Sequence, residues 1–86
     1  MACYHIEFAR SAAKDLRGID RQWIPKIVAL IETLATEPRP SGCKKLAGSE
    51  HTYRLRMGDY RVVYEIEDGI LRVLIVRVRH RRDVYR

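Results

Sequence analysis

The chain has 86 residues, with 17 Lys and Arg against 11 Asp and Glu for a formal net charge of +6, and it is 47% hydrophobic and 33% charged. That length suits one domain with a limited core, residues 1–86, and that composition excludes a disordered chain. No apolar run reaches transmembrane length, and Met1-Ala2-Cys3-Tyr4-His5 lacks the basic segment and apolar stretch of a signal peptide, so the expectation is a cytoplasmic protein with no membrane partner.

Tyr4-His5-Ile6-Glu7-Phe8 alternates and predicts a first strand, with Tyr4, Ile6 and Phe8 on one face. Ala12, Leu16 and Ile19 at helical spacing predict a short helix over 9–19, with Ser11 as N-cap and Gly18 near its end. Ile24, Ile27, Ile31 and Leu34 form the stripe of a second helix over 21–36. Pro25 is tolerated only near a helix N-terminus, which moves the start toward Trp23 or Ile24. Glu37-Pro38-Arg39-Pro40-Ser41-Gly42 breaks the pattern and predicts a loop.

Three strands follow: Tyr53 to Met57, Tyr60 to Ile66, and Ile70 to Val78, joined by turns at Gly58-Asp59 and Glu67-Asp68-Gly69. A short element at the C-terminal end is possible. The order is β-α-α-β-β-β, an α+β fold with two N-terminal helices packed on one face of a mainly antiparallel twisted sheet. Period-two alternation puts Tyr53, Leu55 and Met57 on the helix side and Arg54 and Arg56 on the other. In the next strand Tyr60, Val62, Tyr64 and Ile66 face the helices, while Arg61 joins the arginine face. Arginine is costly to bury unpaired, so that face is expected to be solvated or to await an anion.

Charge distribution points the same way. Between Arg72 and Arg86 the basic residues are Arg72, Arg77, Arg79, Arg81, Arg82 and Arg86, with Asp83 the single acid. The planar guanidinium fork matches phosphate oxygens bidentately and stacks on bases, which favours a nucleic-acid partner or an acidic protein. Bland readings stand beside this one. Arg54, Arg56 and Arg61 could pair with Glu65 or other acids, His80 could pack at a strand end, and Lys44 and Lys45 could merely solubilise a loop. Tyr60 and Tyr64 read as core, Trp23 and Ile24 as packing or partner contacts, and His5 and His51 as structural or surface residues. Cys3 and Cys43 form no CxxC pair and read as reduced thiols; a zinc site would need more ligands. Neither a cofactor nor a metal is expected.

Lys44-Lys45-Leu46 with Gly48, Tyr53-Arg54-Leu55-Arg56, Gly58-Asp59-Tyr60-Arg61-Val62-Val63-Tyr64 and His80-Arg81-Arg82-Asp83-Val84-Tyr85 together resemble the RelE family, within the RelE/ParE superfamily of bacterial toxins. The resemblance covers nearly the whole chain. It implies the toxin of a type II toxin–antitoxin system, held inactive by a cognate antitoxin. Its implied activity is ribosome-dependent endoribonuclease cleavage of mRNA in the A site, inhibiting translation. The family's functional positions map onto Arg54, Arg56, Arg61, Arg81 and Tyr85, and Lys44, Lys45, Arg79 and Arg82 are candidate RNA or ribosome contacts. Arg54 and Arg56 stand where some relatives have lysine, and Arg79 where relatives often have glycine.

Such cleavage without a metal uses the RNA's own 2′-OH as nucleophile. Arg61 with Arg54 or Arg56 suits stabilisation of the phosphorane, since fixed donors aimed at developing charge are usually the largest catalytic contribution. Arginine stays protonated and makes a poor base. His80 is the candidate base, Arg81 a second charge stabiliser and Tyr85 the residue that orients the nucleotide. The alternatives are a ParE-like poison of DNA gyrase and a non-catalytic basic module that binds an antitoxin or nucleic acid.

Overall fold

Strict alternation makes the middle of the sheet. In a computed structural model, which describes residues 3–80, strand β3 (Thr52–Met57) pairs antiparallel with β4 (Tyr60–Glu67) through a two-residue turn at Gly58-Asp59. Along β4, buried Tyr60, Val62, Tyr64 and Ile66 alternate with half-buried Arg61, Val63, Glu65 and Glu67, as a sheet covered on one face requires. Gly58 sits at φ +59°, and a Cβ there would lie 2.8 Å from the Trp23 ring. Glycine thus answers both the turn and the close approach.

β5 (Arg72–His80) pairs antiparallel with β4 and also parallel with β1 (His5–Phe8). A two-residue strand, β2 (Lys44–Lys45), pairs with β3, giving the order β1-β5-β4-β3-β2. The α+β architecture with a mainly antiparallel sheet is as expected. The parallel β1–β5 pair and the strand β2 are additions that local periodicity does not reveal.

Helix α1 spans Arg10–Arg17 and α2 spans Ile24–Thr33, with Pro25 in its first turn. Both are shorter than the expected ranges. Ser11 does not cap α1: Ala9 occupies the N-cap, and the Ser11 hydroxyl donates instead to the Val76 carbonyl at 2.7 Å. The second turn also differs. Asp68–Ile70 form a 3-10 turn, Leu71 takes the left-handed conformation at φ 50°, and β5 begins only at Arg72. Ile70 and Leu71 are therefore exposed rather than part of a buried strand.

The core lies between the helices and one sheet face. Ala12, Ile27, Ile31 and Leu34 meet Leu55, Val62, Tyr64, Ile66, Val73, Ile75 and Val78 there. Full burial of Ile27, Ile31 and Leu34 contributes about 1.5–3 kcal/mol each, enough to hold a helix too short to be stable alone. Tyr64 is fully buried, and its hydroxyl donates to the Pro38 carbonyl at 2.9 Å, anchoring the breaker loop. The longest helix among the described residues has 10 residues, and none is long and apolar enough to cross a membrane.

Candidate nucleic-acid interface

The face of the sheet opposite the helices collects the cations. Register partners Arg56, Arg61 and Arg79 form one row across β3, β4 and β5. Lys44, Arg54, Val63 and Arg77 form the next row across β2 to β5. Neighbouring strands lie roughly 4.8 Å apart, so these side chains start within reach of one phosphodiester segment. Lys44, Arg54 and Arg56 line a hollow with Gly42, whose φ of +95° leaves open space where a Cβ would stand.

Most of these charges have no counter-ion among the described residues. Among the described residues, Lys44, Arg54, Arg56, Arg61 and Arg79 make no ion pair with an acid, so the expected alternative of a Glu65 partner is not realised. Other arginines are committed to structure. Arg77 is held by Asp15, its Nε and Nη2 donating at 2.9 and 3.1 Å. Arg72 donates to Glu67 and lies 3.5 Å from Glu7, and Glu67 strengthens the Arg72 guanidinium's hold on its proton. Arg39 pairs with Asp68 at 2.8 Å and spans the Tyr53 ring. The open face is thus neutralised near β1 and left positive near β3, where like charges crowd one another. Like charges directly opposite in a sheet are destabilising, so the arrangement is held by the fold rather than holding it.

Other expected site residues fall elsewhere. His80 is the register partner of Tyr60, on the helix-facing side, and its ring meets Tyr60 edge-on at 5.2 Å. Tyr60 in turn packs against Trp23 at 5.6 Å. Strand alternation therefore puts His80 and Arg61 on opposite faces. Lys45 pairs with Tyr53, so it too departs from the face that Lys44 shares with Arg54. Arg81, Arg82 and Tyr85, and the possible C-terminal element, lie outside the described residues. Sequence reasoning missed Asp15 and Gly42. Asp15 meets Arg77 across 62 positions of chain, a pairing no local pattern signals.

Chemically, the face offers several always-charged donors fixed on adjacent strands. Such a surface binds phosphates and stabilises added negative charge on a phosphorane, but it does not accept protons. Among the described residues no cluster of three His, Cys, Asp or Glu could hold a metal ion.

Comparison with known proteins places the whole architecture. Residues 6–85 match the family described as the ParE toxin of type II toxin–antitoxin systems. The toxin RelG of Mycobacterium tuberculosis is 34% identical over 96% of this chain and 97% of its own length. Among solved structures, the toxin–antitoxin complex RelBE2 of Mycobacterium tuberculosis superposes with a TM-score of 0.82 at 31% identity, covering 92% of this chain and 99% of that one. The archaeal RelE–RelB complex of Pyrococcus horikoshii gives a TM-score of 0.81 at 26% identity, covering 94% and 97%.

Proposed function

The chain belongs to the RelE family of type II toxin–antitoxin toxins, and from that premise we propose that it is a ribosome-dependent endoribonuclease that cleaves mRNA in the A site. The observation that carries the proposal is the row Arg56–Arg61–Arg79, flanked by Arg54 and Lys44, with no acid paired to any of them among the described residues. A sheet face that crowds like charges at a cost to stability is understandable if a polyanion is its partner.

In this reading the mRNA backbone lies across β3 and β4, the 2′-OH attacks the adjacent phosphate, and the 5′-oxygen leaves. Arg61, at the centre of the row, with Arg54 and Arg56 beside it, stabilises the charge that builds on the phosphorane. Arg81 and Tyr85 complete the set through the family resemblance, Arg81 as a further cation and Tyr85 as the stacking residue that orients a base. Lys44, Arg79 and Arg82 grip neighbouring phosphates, and Lys45 is left to contact ribosomal RNA from the sheet's edge. His80 packs on Tyr60 and supports the end of β5 rather than serving as base.

The two solved structures above are toxin–antitoxin complexes. A cognate antitoxin is the corresponding partner here, its acidic segment neutralising the arginine face. A second reading, a gyrase poison of the ParE kind, draws support from the family match itself. One experiment separates the two: purified protein is added to translating ribosomes with a defined mRNA, and in parallel to a gyrase supercoiling reaction. The proposal expects codon-sized cuts in the first and unchanged supercoiling in the second; inhibited supercoiling with intact mRNA overturns it.

A further inference from the structure

Arg77 and Arg79 reach the open face only because β5 contains an extra residue. Val73 and Ile75 are buried on the helix side, opposite Ile66 and Tyr64. Strict alternation from there would carry Arg77 and Arg79 into the core and turn Val78 outward. Instead the register steps from Tyr64↔Ile75 to Val63↔Arg77, leaving Val76 as the additional residue of a β-bulge. The phase then reverses: Val78 is 2% exposed and pairs with Val62, while Arg77 and Arg79 pair with Val63 and Arg61.

Helix α1 occupies the edge of β5 at this point, just past the end of β1. The Ala9 amide donates to the Ile75 carbonyl at 2.8 Å, and the Ser11 hydroxyl donates to the Val76 carbonyl at 2.7 Å. The Asp15 carboxylate accepts the Val78 amide at 3.0 Å and both donors of Arg77. Ser11 and Asp15 lie four residues apart, on one face of α1. Together they engage the backbone on both sides of Arg77, along the edge of β5 that β1 no longer covers.

We propose that Ser11 and Asp15 are positioning residues for the phosphate-facing site: they hold the Val76 bulge that sets Arg79 on the face of Arg61. This rests on the reading of that face as the RNA site, and it adds residues outside that face to its machinery. Neither side chain touches substrate in this account. Their contribution is the phase of β5, and a loosened bulge lets 78 and 79 exchange faces.

The test reads placement separately from activity. In a Cys3→Ser, Cys43→Ser background, single Val78→Cys and Arg79→Cys variants are labelled with a small maleimide. With Ser11 and Asp15 intact, position 79 labels at least tenfold faster than position 78. Adding Asp15→Ala brings the two rates together. Where that variant does not fold, Asp15→Asn serves, because its amide oxygen still accepts the Val78 amide while the Arg77 ion pair is lost; it shifts the ratio in the same direction by less. A labelling ratio unchanged in every folded Asp15 variant overturns the proposal, whether or not the protein cleaves RNA. On ribosomes, Ser11→Ala and Asp15→Asn in the natural background lower kcat about tenfold or more with KM little changed, since misplacement by about 1 Å can cost about 100-fold. Converged labelling with full kcat shows that the clamp sets the strand but not the site, and overturns the positioning role. Absence of cleavage by wild-type protein tells instead against the endoribonuclease reading, with the labelling result still standing.

Discussion

Arg56 and Arg61 face each other as direct register partners across β3 and β4, with no acid paired to either among the described residues. Two guanidinium groups so placed repel, and the fold tolerates them at about 0.2–1 kcal/mol. Arg61→Gln is therefore expected to raise stability by about that amount while lowering cleavage by about 100-fold, the loss typical of removing one charge-stabilising donor. Urea unfolding and a ribosome cleavage assay on the same preparation check both halves. A variant less stable than wild type would show that Arg61 is held by attractive contacts instead.

Gly58 at φ +59° has the Trp23 ring 2.8 Å from where a Cβ would stand, and that ring is itself packed against Tyr60. Gly58→Ala is expected to destabilise by about 1–3 kcal/mol, combining left-handed strain with overpacking. The check is the urea midpoint at unchanged m-value. Trp23→Leu in the same chain relieves the overpacking part and leaves the strain.

Asp68 accepts two bonds from Arg39 and one from Tyr4, and these hold its carboxyl down at about 2, below its ordinary 3.8. A carboxyl depressed in the folded state contributes stability above its unfolded value and loses it as pH falls through the folded one. Stability should therefore fall between about pH 4 and pH 2, and Asp68→Asn should flatten that limb. The pair is exposed, so added salt should shrink the effect. Urea unfolding from pH 2 to 5, at two salt concentrations, measures it.

Antitoxin and RNA binding should both weaken as salt rises, because the interface is a cluster of cations that displace counter-ions from, or are screened against, an acidic partner. Titration of a single-stranded RNA at 50 to 400 mM salt should give a negative log–log slope, reduced in an Arg54→Gln, Arg56→Gln double variant. A flat dependence would remove the electrostatic account.

Much of this was legible in the residues. In Tyr53-Arg54-Leu55-Arg56-Met57 and Tyr60-Arg61-Val62, polarity alternates with every step, so face and register follow from local chemistry, and Gly58 marks the turn. In Val73-Leu74-Ile75-Val76 every residue is apolar, so nothing local reveals that Val76 is an extra residue, or that Arg77 and Arg79 change faces there. The same bulge sends His80 to the helix side, beside Tyr60 and on the face opposite Arg61. The pairings Arg77–Asp15 and Arg39–Asp68 and the parallel β1–β5 ladder join distant segments, and periodicity carries no information about them. Ser11 looked like a helix cap because serine favours that place; a carbonyl of β5 offered its hydroxyl a better-placed partner.

The most direct test of the central claim is primer-extension mapping of a defined mRNA on purified ribosomes, with wild-type protein and Arg61→Ala, beside the same mRNA free in solution. The account predicts cuts within the A-site codon only when ribosomes are present, and their loss in Arg61→Ala. Intact mRNA with wild-type protein, or undiminished cutting by Arg61→Ala, would contradict it.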